Sequence, residues 1–573
     1  MNEQRNLIMA FVLSALVLVG WTVIGDRFFP QPKPTATQAA KQNATTTAPA
    51  ASAPIVRNRE AVIGDSPRIQ IESPKLKGSI ALKGARIDDL VLISHRTTVK
   101  KNSGPVQLLS PGGSKLGYFA GFGWSGEGLI APAADTLWKA DGAKLTPTTP
   151  ITLTWDNGQG QTFAIRLSLD KEYMFTVDQT VTNAGAAAIG VRGYGYISRS
   201  FAALGQGSSL AGPSHDVDSW TMHVGPIGTF NGATNYDVNY STLDEAGDNG
   251  PKFSTKGGWI GFGDTYWLTA LAPANNAQID ASFRKGGGAY QAEYALSPSL
   301  VGPGKSLTTS SHFFAGAKEI TVLDGYMDAL GIPNFGNAID WGWFKVFAKP
   351  IFYLLDWFFK LTNNFGVAII LLTLTVKLLM FPIAQKQFAS MAAMRVVQPK
   401  IKAMQERYKD DKPRQQQELM ALYKTEKINP AAGCLPVFIQ IPIFYALYKV
   451  LLVAIEMRHQ PFALWIKDLS APDPLTPVNL FGLLNFTPPS MIALGVLPIL
   501  LGITMYLQFK LNPAPVDPVQ AQVFSIMPWI LMFVMAPFAA GLQLYWVVNN
   551  TLTILQQKWL YSRHPGMAAP VTK

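Results

Sequence analysis

The pattern of hydrophobic and polar positions divides the chain into a short apolar run, a long stretch of period two, and a C-terminal half with several long apolar runs. The first apolar run covers residues 7–24, with Arg5 before it and Trp21 at its far end. Its length and the lack of a nearby small-residue cleavage site favour an uncleaved transmembrane anchor, residues 1–29, over a signal peptide. Residues 30–54 are rich in Pro, Ala and Thr and are typical of a disordered linker.

Residues 55–323 alternate with the period of a β-strand. Apolar residues at 151, 153 and 155 are followed by Asn157-Gly158, a hairpin turn signal, and the alternation resumes over residues 163–169. Further strands are expected over residues 173–181 and 79–93. This region therefore predicts a large antiparallel β-sandwich.

An amphipathic helix is predicted over 339–360, inside the segment 335–363. Its charged residues fall on one side of a helical wheel and its aromatic and aliphatic residues on the other. The charged side consists of Lys345, Lys349, Asp356 and Lys360, and the apolar side of Phe344, Phe347, Ile351, Leu354, Leu355 and Phe358. The pattern favours a helix that lies on a membrane surface, kinked at Pro350, over one that packs on the sandwich.

The region 364–561 contains five apolar runs long enough for membrane spans, which with the anchor predict six transmembrane helices. The runs are 364–382, 431–455, 490–508, 523–538 and 541–557. Residues 383–429 hold ten Lys and Arg against five Asp and Glu and suggest two polar helices. By the positive-inside rule this loop, the N-terminus and the tail 562–573 are cytoplasmic, and the sandwich lies outside.

Polar residues inside these runs suggest a wet cavity. Lys377 and Thr373 lie one turn apart in the first run, Gln440 lies in the second, and Gln543, Trp546 and Asn550 form a stripe in the last. A charge at bilayer depth is costly, so Lys377 either extends its amine to the headgroups or lines an aqueous cavity. The second stripe and Gln440 favour the cavity. Lys449, near the end of its run, is interpreted as extending to the headgroups.

Composition agrees with a membrane protein: 48% of the 573 residues are hydrophobic and 15% are charged. The net charge of +11 fits basic cytoplasmic loops better than nucleic-acid binding, because loop 383–429 lacks interleaved aromatic residues. With one cysteine, Cys434, the chain has no internal disulfide and no cysteine-based metal cage. We expect no cofactor and no metal.

The C-terminal half resembles the YidC family of bacterial membrane protein insertases, also called the YidC/Oxa/Alb family. The resemblance covers about 335–561, and the sandwich is similar to the periplasmic domain of Gram-negative members. The matching motifs are Lys377-Leu-Leu-Met-Phe-Pro382, Gln398-Pro-Lys400, Asn429-Pro430, Gly433-Cys434-Leu-Pro436, Gln440-Ile-Pro442-Ile-Phe444, Pro461-Phe-Ala-Leu-Trp465 and Gly541-Leu542.

The resemblance implies an inner-membrane protein whose five-helix core encloses a hydrophilic groove with one cation. It also implies an apolar slide that contacts the client. Residues expected in the slide are Phe438, Pro442, Phe444, Phe524, Pro528 and Phe533. Implied partners are nascent membrane proteins, the lipid bilayer and the Sec translocon, with ribosome and targeting factors meeting the basic loop at Arg395, Lys400, Lys402 and Arg407.

Two residues depart from the common family pattern. Lys377 stands where many bacterial relatives carry arginine, so the charge is kept and the planar fork that binds carboxylates is lost. Trp546 stands where tyrosine is common.

Two other functional classes remain as alternatives. An ion or solute transporter would use Lys377 as a binding charge, but the sequence shows no inverted repeat and no acidic residue in a span. An anchored periplasmic enzyme acting on carbohydrate would need paired carboxylates, for which scattered acids such as Asp178 are weak candidates. The sequence has no Gly-x-Ser-x-Gly, His-Glu-x-x-His or phosphate-loop motif.

Overall fold

The computed structural model describes residues 57–100, 102–200, 222–409, 411–426, 435–481, 483–484, 486, 494–511 and 518–563. The predicted anchor, the linker and most of the tail 562–573 lie outside these residues. The chain forms two compact units. We call residues 57–97 and 104–339 the β-domain, and residues 98–103 and 340–563 the helical unit.

The β-domain contains twenty strands among its described residues. They are β1 (Arg68–Glu72), β2 (Leu76–Ala81), β3 (Arg86–Arg96), β4 (Pro105–Leu109), β5 (Tyr118–Ser125), β6 (Lys139–Ala140), β7 (Lys144–Leu145), β8 (Ile151–Asp156), β9 (Gln161–Leu169), β10 (Met174–Asn183), β11 (Ile189–Ser200), β12 (Gly225–Phe230), β13 (Ala233–Asn235), β14 (Lys252–Lys256), β15 (Trp259–Gly263), β16 (Trp267–Pro273), β17 (Gln278–Gly286), β18 (Ala289–Leu296), β19 (Ser299–Val301) and β20 (Lys305–Ala317). Its helices are α1 (Arg59–Ile63), α2 (Tyr240–Ala246) and α3 (Ile320–Leu330).

The strands form two sheets that pack face to face. One runs in the order β14-β17-β18-β11-β5-β3-β2-β1-β7, with β4 beside β3 and β19 beside β11. The other runs β13-β12-β15-β16-β20-β10-β9-β8-β6. All pairs are antiparallel except β1 with β7. Aromatic rings from both sheets meet in the core, as where Phe122 of β5 lies 6.4 Å from Phe313 of β20. The predicted β-sandwich is therefore present.

The hairpin predicted around Asn157-Gly158 is confirmed. Trp155 pairs with Phe163 across β8 and β9, so the alternating apolar residues of both strands share one face. The connection is four residues long, and both Gly158 and Gly160 have positive φ, 72° and 84°. The stretch 79–93, by contrast, divides into two strands joined by a turn in which Ala85 has a φ of 50°.

The helical unit contains seven α-helices among its described residues. They are α4 (Lys345–Thr362), α5 (Phe365–Arg407), α6 (Lys412–Thr425), α7 (Leu435–Val453), α8 (Val496–Leu511), α9 (Pro518–Met535) and α10 (Ala540–Arg563). One stretch among the described residues, Phe365–Phe388 of α5, is long and apolar enough to cross a membrane by itself. Shorter apolar stretches are Gln440–Val453, Val496–Leu511 and Ala521–Met535.

Helix α4 begins six residues later than the pattern predicts. Gly342 has a φ of 60° and donates its N–H to Asp340 Oδ1, which holds the chain in a turn before the helix. The helix continues through Pro350, and it packs on α5 and α7 with a buried side that includes Phe352 and Leu355. Phe347, predicted on the same apolar side, is 51% exposed. Apolar residues therefore cover two sides of α4.

The first polar helix of the basic loop is not a separate element. Helix α5 runs for 43 residues from Phe365 to Arg407, and it continues through Pro382 and Pro399. A proline in a helix removes one hydrogen bond and bends the axis, but the turns on either side can persist when other contacts hold them. The side chain of Asn364 caps the start of this helix by accepting from Val367 N.

Candidate functional site

The helical unit encloses a cavity of about 390 Å³ between α5, α7, α8, α9 and α10. Residues from all five helices line it: Val376, Lys377, Met380, Ile383, Ala384, Gln387, Phe388, Gln440, Ile441, Phe444, Met505, Gln508, Phe509, Met527, Leu531, Trp546, Asn549, Asn550, Thr553, Gln556 and Gln557. The wall is mostly apolar, and among these lining residues Lys377 is the one charged side chain. We call this cavity the groove.

Lys377 directs its amine into the groove. Its Nζ donates to Thr553 Oγ1 on α10 at 2.7 Å, and Thr553 Oγ1 donates to the backbone oxygen of Asn549 at 2.7 Å. The lining described above contains no carboxylate. An ammonium group bonded to a neutral hydroxyl in a partly apolar wall favours the approach of a negatively charged group.

Three more predicted residues line the same groove. Asn550 Nδ2 donates to Thr504 Oγ1 at 3.3 Å, and Gln440 Nε2 donates to the Tyr545 hydroxyl. The ring of Trp546 stands edge-on to Phe444 with centroids 5.2 Å apart. The structure thus brings Lys377, Gln440, Trp546 and Asn550 together from three helices.

The other two predicted residues lie outside the groove lining. Thr373 is fully buried and donates its hydroxyl to Ile369 O of its own helix, so the helix satisfies it. Gln543 is also fully buried, and its Nε2 donates to the backbone oxygens of Met535, at 2.8 Å, and Phe538, at 2.9 Å. These oxygens lie at the end of α9 and in the turn after it, where a helix leaves carbonyls without partners. Gln543 thus stabilises the turn between α9 and α10 by hydrogen bonds to its carbonyls.

Several groove residues were not predicted from the sequence. On α10 these are Asn549, Thr553, Gln556 and Gln557, and on α5 and α8 they are Gln387 and Gln508. The signal for the α10 set was available, because positions 546, 549, 550, 553, 556 and 557 follow the i, i+3, i+4 spacing of one helix face. The predicted stripe ended at Asn550, about two turns short of Gln557.

The residues predicted for the slide are divided among different environments. Phe444 lines the groove, and Phe524 lies edge-on to Phe509 with centroids 5.6 Å apart. Pro528 is buried, Pro442 is partly buried and Phe533 is 54% exposed. Phe438 lies on α7, but its side chain is outside the described part of the structure.

Helices α5 and α6 form a hairpin at the basic loop, with a small core of their own. Val397 and Ile401 are buried at its centre, and Ala393, Met394, Leu419, Leu422 and Tyr423 pack around them. Lys400 Nζ forms an ion pair with Glu426 Oε1 at 2.6 Å, while Lys402 and Arg407 are exposed. Arg395 lies on α5, and its side chain is outside the described part. The two polar helices expected in this loop therefore share a small apolar core.

Lys449 does not extend to a membrane surface. Its side chain is 1% exposed, and its Nζ lies 3.6 Å from Asp340 Oδ2. The pair joins the end of α7 to the turn that precedes α4, so a carboxylate that is distant in sequence neutralises the charge.

Comparison with known proteins places the whole chain in one family. A family model described as 60Kd inner membrane protein matches residues 357–567, and one described as YidC periplasmic domain matches residues 68–354. The chain is 50% identical to the membrane protein insertase YidC of Zymomonas mobilis over 98% of this chain and 96% of that protein. It is 43% identical to the YidC of Bradyrhizobium diazoefficiens over 98% and 97%.

A solved structure, described as an active YidC insertase with the first transmembrane domain resolved, aligns with this chain at 18% identity and a TM-score of 0.36. The alignment covers 96% of this chain and 99% of the solved one. The identity and coverage of the curated relatives, together with the two family models, show what the chain is related to. The chain belongs to the YidC family, and it functions as a membrane protein insertase of the inner membrane.

Proposed function

We propose that the groove is the part of the protein that receives the polar flank of a client during insertion. The observation that carries this proposal is the placement of Lys377, whose amine lies inside a partly apolar groove and has a neutral hydroxyl as its described partner. A polar segment that enters such a groove meets hydrogen-bonding groups and a positive charge instead of hydrocarbon. The protein would thereby lower the free energy of moving the flank without making or breaking a bond.

We further propose the membrane arrangement that this mechanism needs. Six transmembrane helices, with the N-terminus and C-terminus in the cytoplasm, put the basic hairpin of α5 and α6 on the cytoplasmic side and the β-domain in the periplasm. The excess of Lys and Arg in residues 383–429 supports this orientation. The exposed apolar side of α4, which includes Val346 and Trp357, supports contact with lipid at the periplasmic surface.

The partly exposed apolar residues of α7 and α9 are proposed to guide the apolar part of the client. Ile441 and Phe533 are 53% and 54% exposed, in keeping with a surface that a client helix or lipid covers. The exposed cations Lys402 and Arg407 are the proposed contacts for a ribosome or targeting factor. We also propose that some clients are inserted together with the Sec translocon.

Charge substitutions at Lys377 test this function. Lys377→Leu should reduce insertion of clients with acidic flanks about tenfold, because a partly screened charge pair contributes roughly 1 to 4 kcal/mol. Lys377→Arg should retain insertion, since the charge is kept. Lys377→Glu should be more harmful than Lys377→Leu, because it repels the acidic flank.

The measurement is protease protection of paired clients, with acidic and neutral flanks, in cells depleted of the wild-type protein. Neutral-flank clients are the control and should be affected much less. Equal insertion of acidic-flank clients by the leucine and glutamate variants would show that the charge of Lys377 does not act on the client.

A transporter that uses Lys377 as its binding charge has no support in the curated relatives, which are named as insertases. The described lining of the groove also lacks an acidic residue that would relay a cation or proton with Lys377.

A further inference from the structure

The groove contains more primary amides than charges, and their chemistry differs from that of Lys377. Seven of its lining residues are Asn or Gln: Gln387, Gln440, Gln508, Asn549, Asn550, Gln556 and Gln557. A primary amide offers two N–H donors and a carbonyl acceptor, whereas an ammonium offers donors alone. The groove is therefore equipped for a ligand that both donates and accepts hydrogen bonds.

Three of these amides have an atom that no hydrogen bond satisfies among the described residues. These atoms are Asn549 Oδ1, Gln508 Oε1 and Gln556 Nε2. Asn549 as a whole is 8% exposed. Leaving a buried polar atom without a partner costs about 1 to 3 kcal/mol. We call Gln508, Asn549 and Gln556 the amide row.

The unsatisfied atoms are mixed in kind. The buried unsatisfied atoms of Gln508 and Asn549 are acceptors, while those of Gln556 and the Trp546 indole are donors. A carboxylate or phosphate requires donors and would be repelled by the amide oxygens. A peptide group has one N–H and one C=O and fits both kinds of atom.

The spacing of the amide row suits an extended chain. Asn549 and Gln556 are seven residues apart on α10, which is about 10 Å along the helix axis. Three residues of an extended polypeptide span about the same distance. A helical segment already satisfies its own main-chain groups, but an extended flank in a partly apolar groove has unpaired N–H and C=O groups that need partners.

We propose that the amide row is a main-chain binding subsite, which holds about three residues of an extended client flank independently of their side chains. Lys377 then attracts the charge of the flank, and the amide row forms hydrogen bonds with its backbone. This inference rests on the proposed role of the groove in receiving the flank, and it adds a second kind of contact there.

A client with altered main chain tests the proposal. A synthetic single-span client with a neutral flank is compared with the same client in which three successive flank amides are replaced by esters, which removes the N–H donors and weakens the carbonyl acceptors. Insertion into liposomes containing the purified full-length protein is measured by protease protection, relative to empty liposomes. The wild-type protein should insert the amide client about two- to tenfold better than the ester client, as expected for a hydrogen bond in a protein.

The variant Asn549→Leu should lower insertion of the amide client by a similar factor and should no longer distinguish it from the ester client. Gln508→Met on α8 makes the same test from another helix, so the result does not depend on one variant folding well. Gln522→Met is the matched control, because Gln522 is an exposed amide on α9 that does not line the groove. It should keep the wild-type ratio.

If Asn549→Leu and Gln508→Met both keep the full amide-to-ester ratio, the main-chain subsite is overturned, and the amides serve only to hydrate the groove. The Lys377 series separates this failure from that of the proposed function. Selective loss of acidic-flank clients in Lys377→Leu, together with an unchanged ester ratio, would leave the charge role in place and remove the amide row alone.

Discussion

At the scale of single residues, Glu319 shows how a partly buried carboxylate joins parts of the β-domain. It precedes α3 and accepts hydrogen bonds from Lys75 Nζ, at 2.8 Å, and the Tyr173 hydroxyl, while His95 Nε2 lies 3.7 Å away. Burial by itself raises the pKa of Glu319, but the nearby His95 and the hydrogen bonds from Lys75 and Tyr173 more than offset this and lower the pKa to about 2. The ionised form is therefore favoured in the folded state.

This depressed pKa predicts a loss of stability in acid. A carboxyl whose pKa is lower in the folded than in the unfolded chain stabilises the fold above the unfolded pKa of about 4.5, and the gain is lost as the pH falls toward about 2. The shift corresponds to roughly 3 kcal/mol. Glu319→Gln should lower the free energy of unfolding of the β-domain at pH 7 by up to that amount, and the difference should shrink between pH 5 and pH 2. Denaturant unfolding followed by peptide-resolved hydrogen exchange measures it, and a difference independent of pH would contradict the assignment.

The ion pair between the partly buried Asp340 and the buried Lys449 leads to a second prediction at this scale. Asp340→Asn removes the charge opposite a lysine that is 1% exposed, and breaking such a pair from one side typically costs about 3 to 5 kcal/mol. The variant should lose thermal stability in detergent. Adding Lys449→Met should restore much of it, because no buried charge then remains. If the double variant were as unstable as the single one, the pair would not explain the burial of Lys449.

At the scale of elements, the hairpin of α5 and α6 behaves as a packed unit with its own small core. Ile401 is completely buried between the two helices, and Val397 lies one turn before it. The Lys400–Glu426 ion pair is 61% exposed at the lysine and adds little stability. The apolar contacts therefore hold α6 against α5.

Ile401→Asp should release α6 without disturbing the apolar part of α5. Burying a charge in this core costs several kcal/mol, whereas Ala403→Asp adds the same charge at an exposed position two residues away. Hydrogen exchange over residues 412–425 should accelerate in Ile401→Asp and not in Ala403→Asp, with exchange over 365–388 unchanged in both. Insertion should fall only in the first variant. Normal insertion with a released α6 would show that the packed hairpin is not needed.

At the scale of the whole molecule, the chain consists of two compact units, and we expect the helical unit to carry out insertion. The groove and all of its lining residues belong to the helical unit, and the β-domain has its own aromatic core. Deleting residues 57–330 should therefore leave insertion within about twofold of the full chain. The deletion ends before Asp340 so that the pair with Lys449 is kept. Protease protection of the acidic-flank client measures the result.

The same deletion carrying Lys377→Leu is the control and should lose acidic-flank insertion to the same extent as the full-length variant. Loss of insertion in the simple deletion, with the helices still stable in detergent, would show that the β-domain takes part in the process itself.

Features that depend on local periodicity were predictable from the sequence. The two-residue alternation identified the sandwich and the hairpin of β8 and β9, because residues on alternate sides of a strand must match a buried face. The apolar runs located the helices around the groove. Lys377, Gln440, Trp546 and Asn550 were recognisable because a polar residue within an apolar run is costly unless it lines a wet cavity.

Which polar residues share the groove depends on how the helices pack, and the sequence pattern does not show it. Thr373 and Gln543 fit the same stripes as the groove residues, yet each finds its partners in backbone carbonyls, and only the turn after α9 reveals this for Gln543. Lys449 looked like a residue near a membrane surface until the fold brought Asp340 to it from more than one hundred positions away in the chain. Periodicity shows which residues lie on one face of an element, but the partner across that face depends on how the elements pack.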